Sequence, residues 1–344
     1  MTVWLLLAVM LLAAVLTGAL RRYALARSII DIPNSRSSHS VPTPRGGGVA
    51  IVLSVLLVLP FLASQGVIGW SLVWALLGAG GGVALLGFAD DHGHIAARWR
   101  LLGHFCAAIW ALYWLNGLPA LEVFGLSFDL GWTGYALLAV YLVWLLNLYN
   151  FMDGIDGIAS VEAISCCLGG VLLLWLTGHA ESALPLAILA AAVGGFLLWN
   201  FPPARIFMGD AGSGFLGMLL GIFSIQAAII DPVLFWAWLI LLGVFIVDAT
   251  FTLLRRFWRG QRVYEAHRSH AYQHATQQIG RHLPVTVVVA LINMFWLLPL
   301  ALLVGLDYLD GLAGVAIAYL PLIILARYFG AGVECESMAV RGKS

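Results

Sequence analysis

The chain has 344 residues, 62% of them hydrophobic and only 10% charged, with 17 basic residues balanced by 17 acids. Soluble domains run near half apolar and a quarter charged, so this composition excludes a water-soluble globular protein and reads as a polytopic membrane protein whose core is the helix bundle itself. Zero formal net charge leaves no global positive field, which excludes a nucleic-acid binder.

The first apolar run, 3–20, has no Lys or Arg before it and Arg21 and Arg22 after it. That is the reverse of a secretory signal peptide, so it is predicted to be a retained helix with its N-terminus outside. Loop 21–46 follows and runs into Pro42-Thr43-Pro44-Arg45-Gly46-Gly47-Gly48, where prolines and glycines enforce a defined loop. Arg36 and Arg45, with His39 and Thr43 beside them, are candidates to bind a phosphate or lipid headgroup; plain basic anchoring of the loop is the alternative. Runs 47–66 and 70–88 come next, and the second closes on Gly87-Phe88-Ala89-Asp90-Asp91. Adjacent carboxylates repel, so Asp90 and Asp91 call for a nearby cation, and the pair suits metal binding or base chemistry. Arg98 and Arg100, in loop 89–100, are placed to hold phosphate oxygens.

Runs 101–117 and 133–150 lead into Asn147-Leu-Tyr-Asn150-Phe-Met-Asp153-Gly154-Ile-Asp156-Gly157. A carboxylate at the bilayer centre costs about 2.5–3.5 kcal/mol, so two of them beside an apolar run, with no basic residue near in sequence, imply a water-facing site at the membrane edge. Spacing of three keeps Asn147, Asn150, Asp153 and Asp156 near one helix face, and Gly154 and Gly157 let the backbone approach a ligand. Oxygen donors of this kind suit Mg²⁺, or Mn²⁺, rather than zinc. Helix capping would account for one or two of the four residues.

After runs 161–177 and 183–200, loop 201–212 carries Phe207-Met208-Gly209-Asp210-Ala211-Gly212, which puts Asp210 at the start of run 213–230, where an anion is favoured. Gly212-x-Gly214-x-x-Gly217 matches a dinucleotide fingerprint in form only, since no strand precedes it. Gly217-x-x-x-Gly221 predicts close helix packing instead. Run 234–254 contains Asp248, an intramembrane acid that either pairs within the bundle or lines the site. In loop 255–282, His267-Arg268-Ser269-His270 and His274 lack an HExxH or Cys partner for zinc. Arg268 and His270 are therefore candidates to contact an anionic or sugar substrate, against a merely solvated basic loop. Runs 283–303 and 311–327 complete eleven predicted spans of the length a bilayer requires. Cys106, Cys166, Cys167 and Cys335 have neither disulfide nor zinc spacing and read as small packing residues.

With eleven spans and the N-terminus outside, all 17 Lys and Arg fall on the cytoplasmic side together with the C-terminus. The other side keeps only Glu122, Asp129, Glu181, Asp231, Asp307 and Asp310. Loops 21–46, 89–100, 150–160, 201–212 and 255–282 then share the cytoplasmic face and form one site within a single domain, 1–344. Acids for a metal, an Arg/His loop and a bundle wall open to lipid fit metal-dependent phosphotransfer at that face. An ion-coupled transporter or lipid flippase is the rival, with Asp248 its main support and no internal repeat to add to it.

Five motifs, P-T-P-R-G-G-G at 42–48, G-F-A-D-D at 87–91, N-x-x-N-F-M-D-G-I-D-G at 147–157, F-M-G-D-A-G-S at 207–213 and R-S-H at 268–270, occur in an order that resembles the polyprenyl-phosphate N-acetylhexosamine-1-phosphate transferases, glycosyltransferase family 4. The resemblance spans nearly the whole chain. It implies that undecaprenyl phosphate attacks the β-phosphate of a UDP-N-acetyl sugar, with a Mg²⁺ cofactor and release of UMP, and it admits a homodimer. It further implies Asp210 and Asn150 as metal ligands, Asp90 and Asp91 near the lipid phosphate with Asp90 as candidate base, Asp153 and Asp156 near uridine and metal, and Arg268 and His270 in a sugar-reading loop. Two departures stand out: the D-D-x-x-D/K element reads Asp90-Asp91-His92-Gly93-His94, and the histidine-rich loop reads His270-Ala271-Tyr272-Gln273-His274. These point away from the peptidoglycan pentapeptide translocase and toward O-antigen initiating transferases of the Pseudomonas type. Such enzymes use UDP-N-acetyl-fucosamine-like or -quinovosamine-like sugars, or in some cases UDP-GlcNAc, and serve lipopolysaccharide synthesis.

Overall fold

The computed structural model describes residues 2–33, 41–93, 95–261 and 268–333. Arg36, His39, His94, His267 and Cys335 lie outside the described residues. Among the described residues the chain forms thirteen helices: α1 Thr2–Ala26, α2 Val49–Ser64, α3 Trp70–His92, α4 Ala97–Leu115, α5 Gly131–Met152, α6 Ile158–Leu176, α7 Leu184–Asn200, α8 Asp210–Ile230, α9 Val233–Leu241, α10 Gly243–Trp258, α11 Ala271–Ile279, α12 His282–Gly305 and α13 Gly311–Tyr328. Every predicted apolar run has its helix. Eight of these helices are long and apolar enough to cross a membrane, α7 together with the helical turn Ala180–Ser182 that precedes it.

The ninth run is not straight. α9 and α10 pass the same test only together and meet at a 73° bend. Nothing in the apolar pattern of 234–254 marks that bend, because it turns on Leu242 and Gly243 and needs no proline. α2, at 16 residues, falls short of the eighteen required, and α4 opens on Arg98 and Arg100 and is not among the eight. The all-helical expectation also needs a correction, because two antiparallel two-stranded ladders are present. β1 (Ile30–Asp31) pairs with β2 (Thr43–Pro44), and β3 (Leu121–Val123) pairs with β4 (Leu126–Phe128). Proline disfavours helix in 42–44, and the positive φ of Gly125 supplies the tight turn between β3 and β4.

α8 is the axis of the bundle, with 83% of its spanning window buried. At about 1.5 Å per residue its 21 residues cover roughly 30 Å, the thickness of a hydrocarbon core. Its glycines let neighbours come close. A Cβ at Gly217 would sit 2.6 Å from the Cα of Leu146 on α5, and one at Gly212 would sit 2.7 Å from the Cα of Gly48 at the start of α2. The Gly217–Gly221 stripe thus does the packing expected of it. By contrast α1, α12 and α13 are mostly exposed and present Leu7, Leu11, Phe295, Leu320 and Ile324 outward, which is the surface of a protein solvated by lipid.

Short contacts sort the loops onto two ends. At one end Phe124 N–H donates to Asp310 Oδ2 (3.0 Å) and Trp236 Nε1–H to the Glu122 carbonyl (2.6 Å), gathering the acid-only loops. At the other, Gly47 and Gly48 donate to the carbonyls of Phe207 and Met208 (both 2.9 Å), Phe207 donates to Pro44 (2.8 Å), and Arg21 Nε reaches the Arg205 carbonyl (3.1 Å). The glycine loop and the Asp210 loop are therefore bound together before any side-chain chemistry is considered.

Candidate active site

At the start of α8 the local sequence cannot supply its own cap. The N-cap residue is Gly209, at φ 80° and ψ 168°, a conformation favouring glycine and without a side chain to accept from the free N–H groups. Asp91, at the end of α3, does this from outside: its two carboxylate oxygens lie 3.1 and 3.3 Å from the Asp210 amide nitrogen. The helix dipole favours that charge. Gly87 makes the approach possible, since a Cβ there would lie 2.6 Å from the Asp210 carbonyl carbon.

Two arginines complete the cluster. One nitrogen of Arg45, just beyond β2, lies 2.6 Å from Asp91 Oδ1 and 2.8 Å from Asp210 Oδ1. Arg100, in the first turn of α4, pairs with Asp90 Oδ2 and stands 3.8 Å from Asp210 Oδ2. Asp90 Oδ1 also accepts from the Ile95 N–H (2.8 Å), which closes the α3–α4 turn. Burial alone would lower the Arg45 pKa, but Asp210, Asp91 and Asp31 outweigh it and hold it above its usual value. Asp91 is 4% exposed and committed to the cap, whereas the Asp210 carboxylate is 26% exposed and is the accessible acid.

α5 brings the amides. Asn150 donates through Nδ2 to Ser213 Oγ on α8 (3.0 Å), which leaves its carbonyl oxygen to act as an acceptor or oxygen donor. Asp153 follows the last turn of α5. Burial first and Asp210 second push its carboxyl well above the usual carboxylate range, with Arg45 pulling the other way. Three carboxylates (Asp90, Asp91, Asp210) thus face two guanidiniums, and three minus two leaves one negative charge, to which Asp153 adds a second when it ionises. That excess and the oxygen donors fit one hard divalent cation, with Asp210 and Asn150 as the residues that would hold it. Among the described residues no group of three or more His, Cys, Asp or Glu is arranged to hold a metal ion. An ion here would keep water or substrate oxygens, as Mg²⁺ ordinarily does.

Other predicted residues stand elsewhere. Asp156 is nearly buried; its Oδ2 accepts from the Ala204 N–H (2.9 Å) and its Oδ1 lies 3.0 Å from His282 Nδ1, so it ties the α5–α6 turn to the α7–α8 loop and α12. Asn147 donates back to its own helix at Val143 (2.7 Å) and faces His104 of α4 at 3.5 Å. Thr43 is buried and donates to the Val41 carbonyl (3.0 Å). Arg98 is exposed over the Trp99 ring. Gly154 packs under α11, where any Cβ would collide with the Tyr272 hydroxyl. His270, 1% exposed, is the N-cap of α11 rather than a loop side chain, and His274 is buried with Nδ1 2.8 Å from the Phe329 carbonyl. Arg268 is half-buried at the edge of this cap.

Two polar groups were not anticipated. His104 lies within electrostatic reach of Arg100, Asp210 and Asp90; its signal was the Arg100–His104 spacing of four at the start of an apolar run. Glu162, wholly buried in α6, accepts from Asn293 Nδ2 (2.7 Å) at the π-helical turn inside α12. An acid in an apolar run was the clue, and run 161–177 contained it.

Comparison with known proteins gives a consistent result. The profile of glycosyl transferase family 4 matches residues 73–228. The chain is 31% identical over 271 residues to the probable undecaprenyl-phosphate N-acetylglucosaminyl 1-phosphate transferase of Bacillus subtilis (strain 168), covering 76% of this chain and 74% of that protein. It is 30% identical over 312 residues to the decaprenyl-phosphate N-acetylglucosaminephosphotransferase of Mycobacterium tuberculosis, covering 80% and 76%. A phospho-N-acetylmuramoyl-pentapeptide-transferase of Halalkalibacterium halodurans is 29% identical over 273 residues, covering 74% and 82%.

Proposed function

The chain belongs to glycosyl transferase family 4, and from that premise we propose that it transfers an N-acetylhexosamine 1-phosphate from a UDP-sugar to undecaprenyl phosphate at the cytoplasmic face of the bacterial inner membrane. An oxygen of the lipid phosphate attacks the β-phosphorus of the donor. One P–O bond forms there, the bond from that phosphorus to the oxygen bridging to the α-phosphate breaks, and UMP leaves with the electron pair.

The observation that carries this reading is the meeting of Arg45, Asp90, Asp91, Arg100 and Asp210 from four separate stretches of sequence at the N-terminus of α8. Arg45 and Arg100, about a third exposed, keep outward N–H groups for phosphate oxygens while their inner ones hold the acids. Asp90, positioned by Arg100, takes the proton of any monoanionic lipid phosphate. Asp210 and Asn150 would hold Mg²⁺, or Mn²⁺ in its stead, which would supply charge neutralisation on the diphosphate. Asp153 lies within reach of the same charges. Asp91 and Asp156 act by holding the loops that present them.

The orientation rests on charge. Eleven spans with the N-terminus outside put every Lys and Arg on the side of this cluster. The transporter reading drew on Asp248, whose carboxylate instead accepts from two backbone amides of α11. For the donor, the names of two relatives favour UDP-GlcNAc. The sequence argument for a fucosamine-like sugar and an O-antigen role rested on His94, which lies outside the described residues, and on the spacing of His270 and His274, both of which are buried in packing roles. Purified protein with Mg²⁺, undecaprenyl phosphate and UDP-GlcNAc should release UMP, and Asp210→Ala should abolish the release without unfolding the protein. Full activity in that variant would refute the assignment.

A further inference from the structure

Asp248 lies within α10 and is 6% exposed, so its charge must be satisfied by the protein. Its partners all belong to the start of α11 or to its own helix. Oδ1 accepts from the Ala271 N–H (2.9 Å) and from Thr252 Oγ1 (3.1 Å), Oδ2 accepts from the Tyr272 N–H (3.0 Å), and His270 Nδ1 stands 3.4 Å from Oδ1. An acid on one helix thus caps the N-terminus of another, as Asp91 does for α8. The His270–Gln273 capping box closes the same turn from within, with the His270 N–H donating to Gln273 Oε1 (3.2 Å).

What this double cap places is Tyr272. Its hydroxyl donates to the Phe151 carbonyl (2.9 Å) and packs against Gly154. Those two groups flank Asp153 in the chain, one at the end of α5 and one just past it. The hydroxyl is therefore bonded to one side of the turn that carries Asp153 and packed against the other, and a side chain at Gly154 would collide with that oxygen.

We propose that Tyr272 is a positioning residue for Asp153, and that Asp248 is the residue that places Tyr272. The proposal rests on the reading that Asp153 serves the transfer reaction. It gives the His270-Ala271-Tyr272-Gln273-His274 stretch a different task from reading the sugar: its histidines are buried, and its tyrosine holds the acid loop.

Two measurements on the full-length protein test this. In hydrogen exchange, Tyr272→Phe should speed exchange of the Asp153 and Gly154 amides at least about tenfold, with Asp248→Asn acting in the same direction and the α8 amides unchanged. Unaltered exchange at 153–154 would overturn the proposal whether or not the protein is active. In the UMP assay, Tyr272→Phe should lower kcat at least about tenfold while both KM values stay within about threefold and the melting temperature holds. The double variant Tyr272→Phe/Asp153→Asn should then be no slower than the residual turnover of Asp153→Asn alone, because the tyrosine acts through that carboxylate. A kcat within twofold of wild type, or losses that multiply, would refute it. Wild-type protein that releases no UMP from any UDP-sugar would sink the transferase reading, and the exchange result would still decide the positioning role.

Discussion

Arg45 is the residue through which the cluster is held together, since one of its nitrogens meets both Asp91 and Asp210. A lysine keeps the charge but loses the planar fork. Arg45→Lys should therefore reduce turnover by about 10- to 100-fold with the protein still folded, and wild-type turnover would show that the fork is dispensable. Asp153 allows a test by pH. Its folded pKa is raised above the unfolded value of about 3.9, so its charge costs stability, and that cost grows as pH rises from the unfolded value toward the folded one. Asp153→Asn should raise the melting temperature relative to wild type, by little at pH 4 and by more at pH 7, while leaving only residual turnover. An advantage that shrinks with rising pH would contradict the burial. At this scale the sequence was legible in residue type and poor in direction. Asp90, Asp91, Arg45, Arg100 and Asp210 do meet. Asn147 and Thr43 carry suitable groups but turn them into the protein. Spacing puts a side chain on a helix face without saying whether water or another helix lies opposite.

Among the elements, the caps explain what local reading missed. Capping rules look for the acceptor in the residues just before a helix. Here α8 begins after a glycine and takes its cap from α3, while α11 takes part of its cap from α10. Asp91 and Asp248 accordingly looked like a reactive acid and an unexplained intramembrane charge until the helices were placed. The 73° break between α9 and α10 was hidden for a similar reason, because an unbroken apolar run gives no sign of a turn that tertiary contacts impose. The glycines of α8 were easier to read, and their packing is testable. Gly217→Val would drive a side chain into the backbone of α5 and should destabilise the protein by about 1–3 kcal/mol, seen as a lower melting temperature in detergent. Gly82→Ala, with nothing within 4 Å of the new Cβ, should melt at or slightly above the wild-type temperature. Equal effects of the two changes would refute the close approach of α5 and α8.

For the whole molecule, membrane topology and chemistry make a joint claim: the basic loops, the acid cluster and the start of α8 share one end, and the acid-only loops share the other. The sequence supports the first part, since the eleven-span reading puts all 17 basic residues into alternate segments. In intact cells, with Cys106 and Cys335 replaced by Ser, a membrane-impermeant thiol reagent should label Ser127→Cys at once and Gly93→Cys only after permeabilisation. The reverse pattern would invert the orientation. The central claim is transfer of a sugar phosphate to lipid, and the most direct measurement follows the β-phosphate itself. With UDP-GlcNAc labelled at that phosphorus, undecaprenyl phosphate and Mg²⁺, the label should pass into the organic phase as lipid diphosphosugar, in equal amount to the unlabelled UMP left in water. Label that stays in the aqueous phase as sugar phosphate, with UMP released, would make the protein a hydrolase and contradict the account.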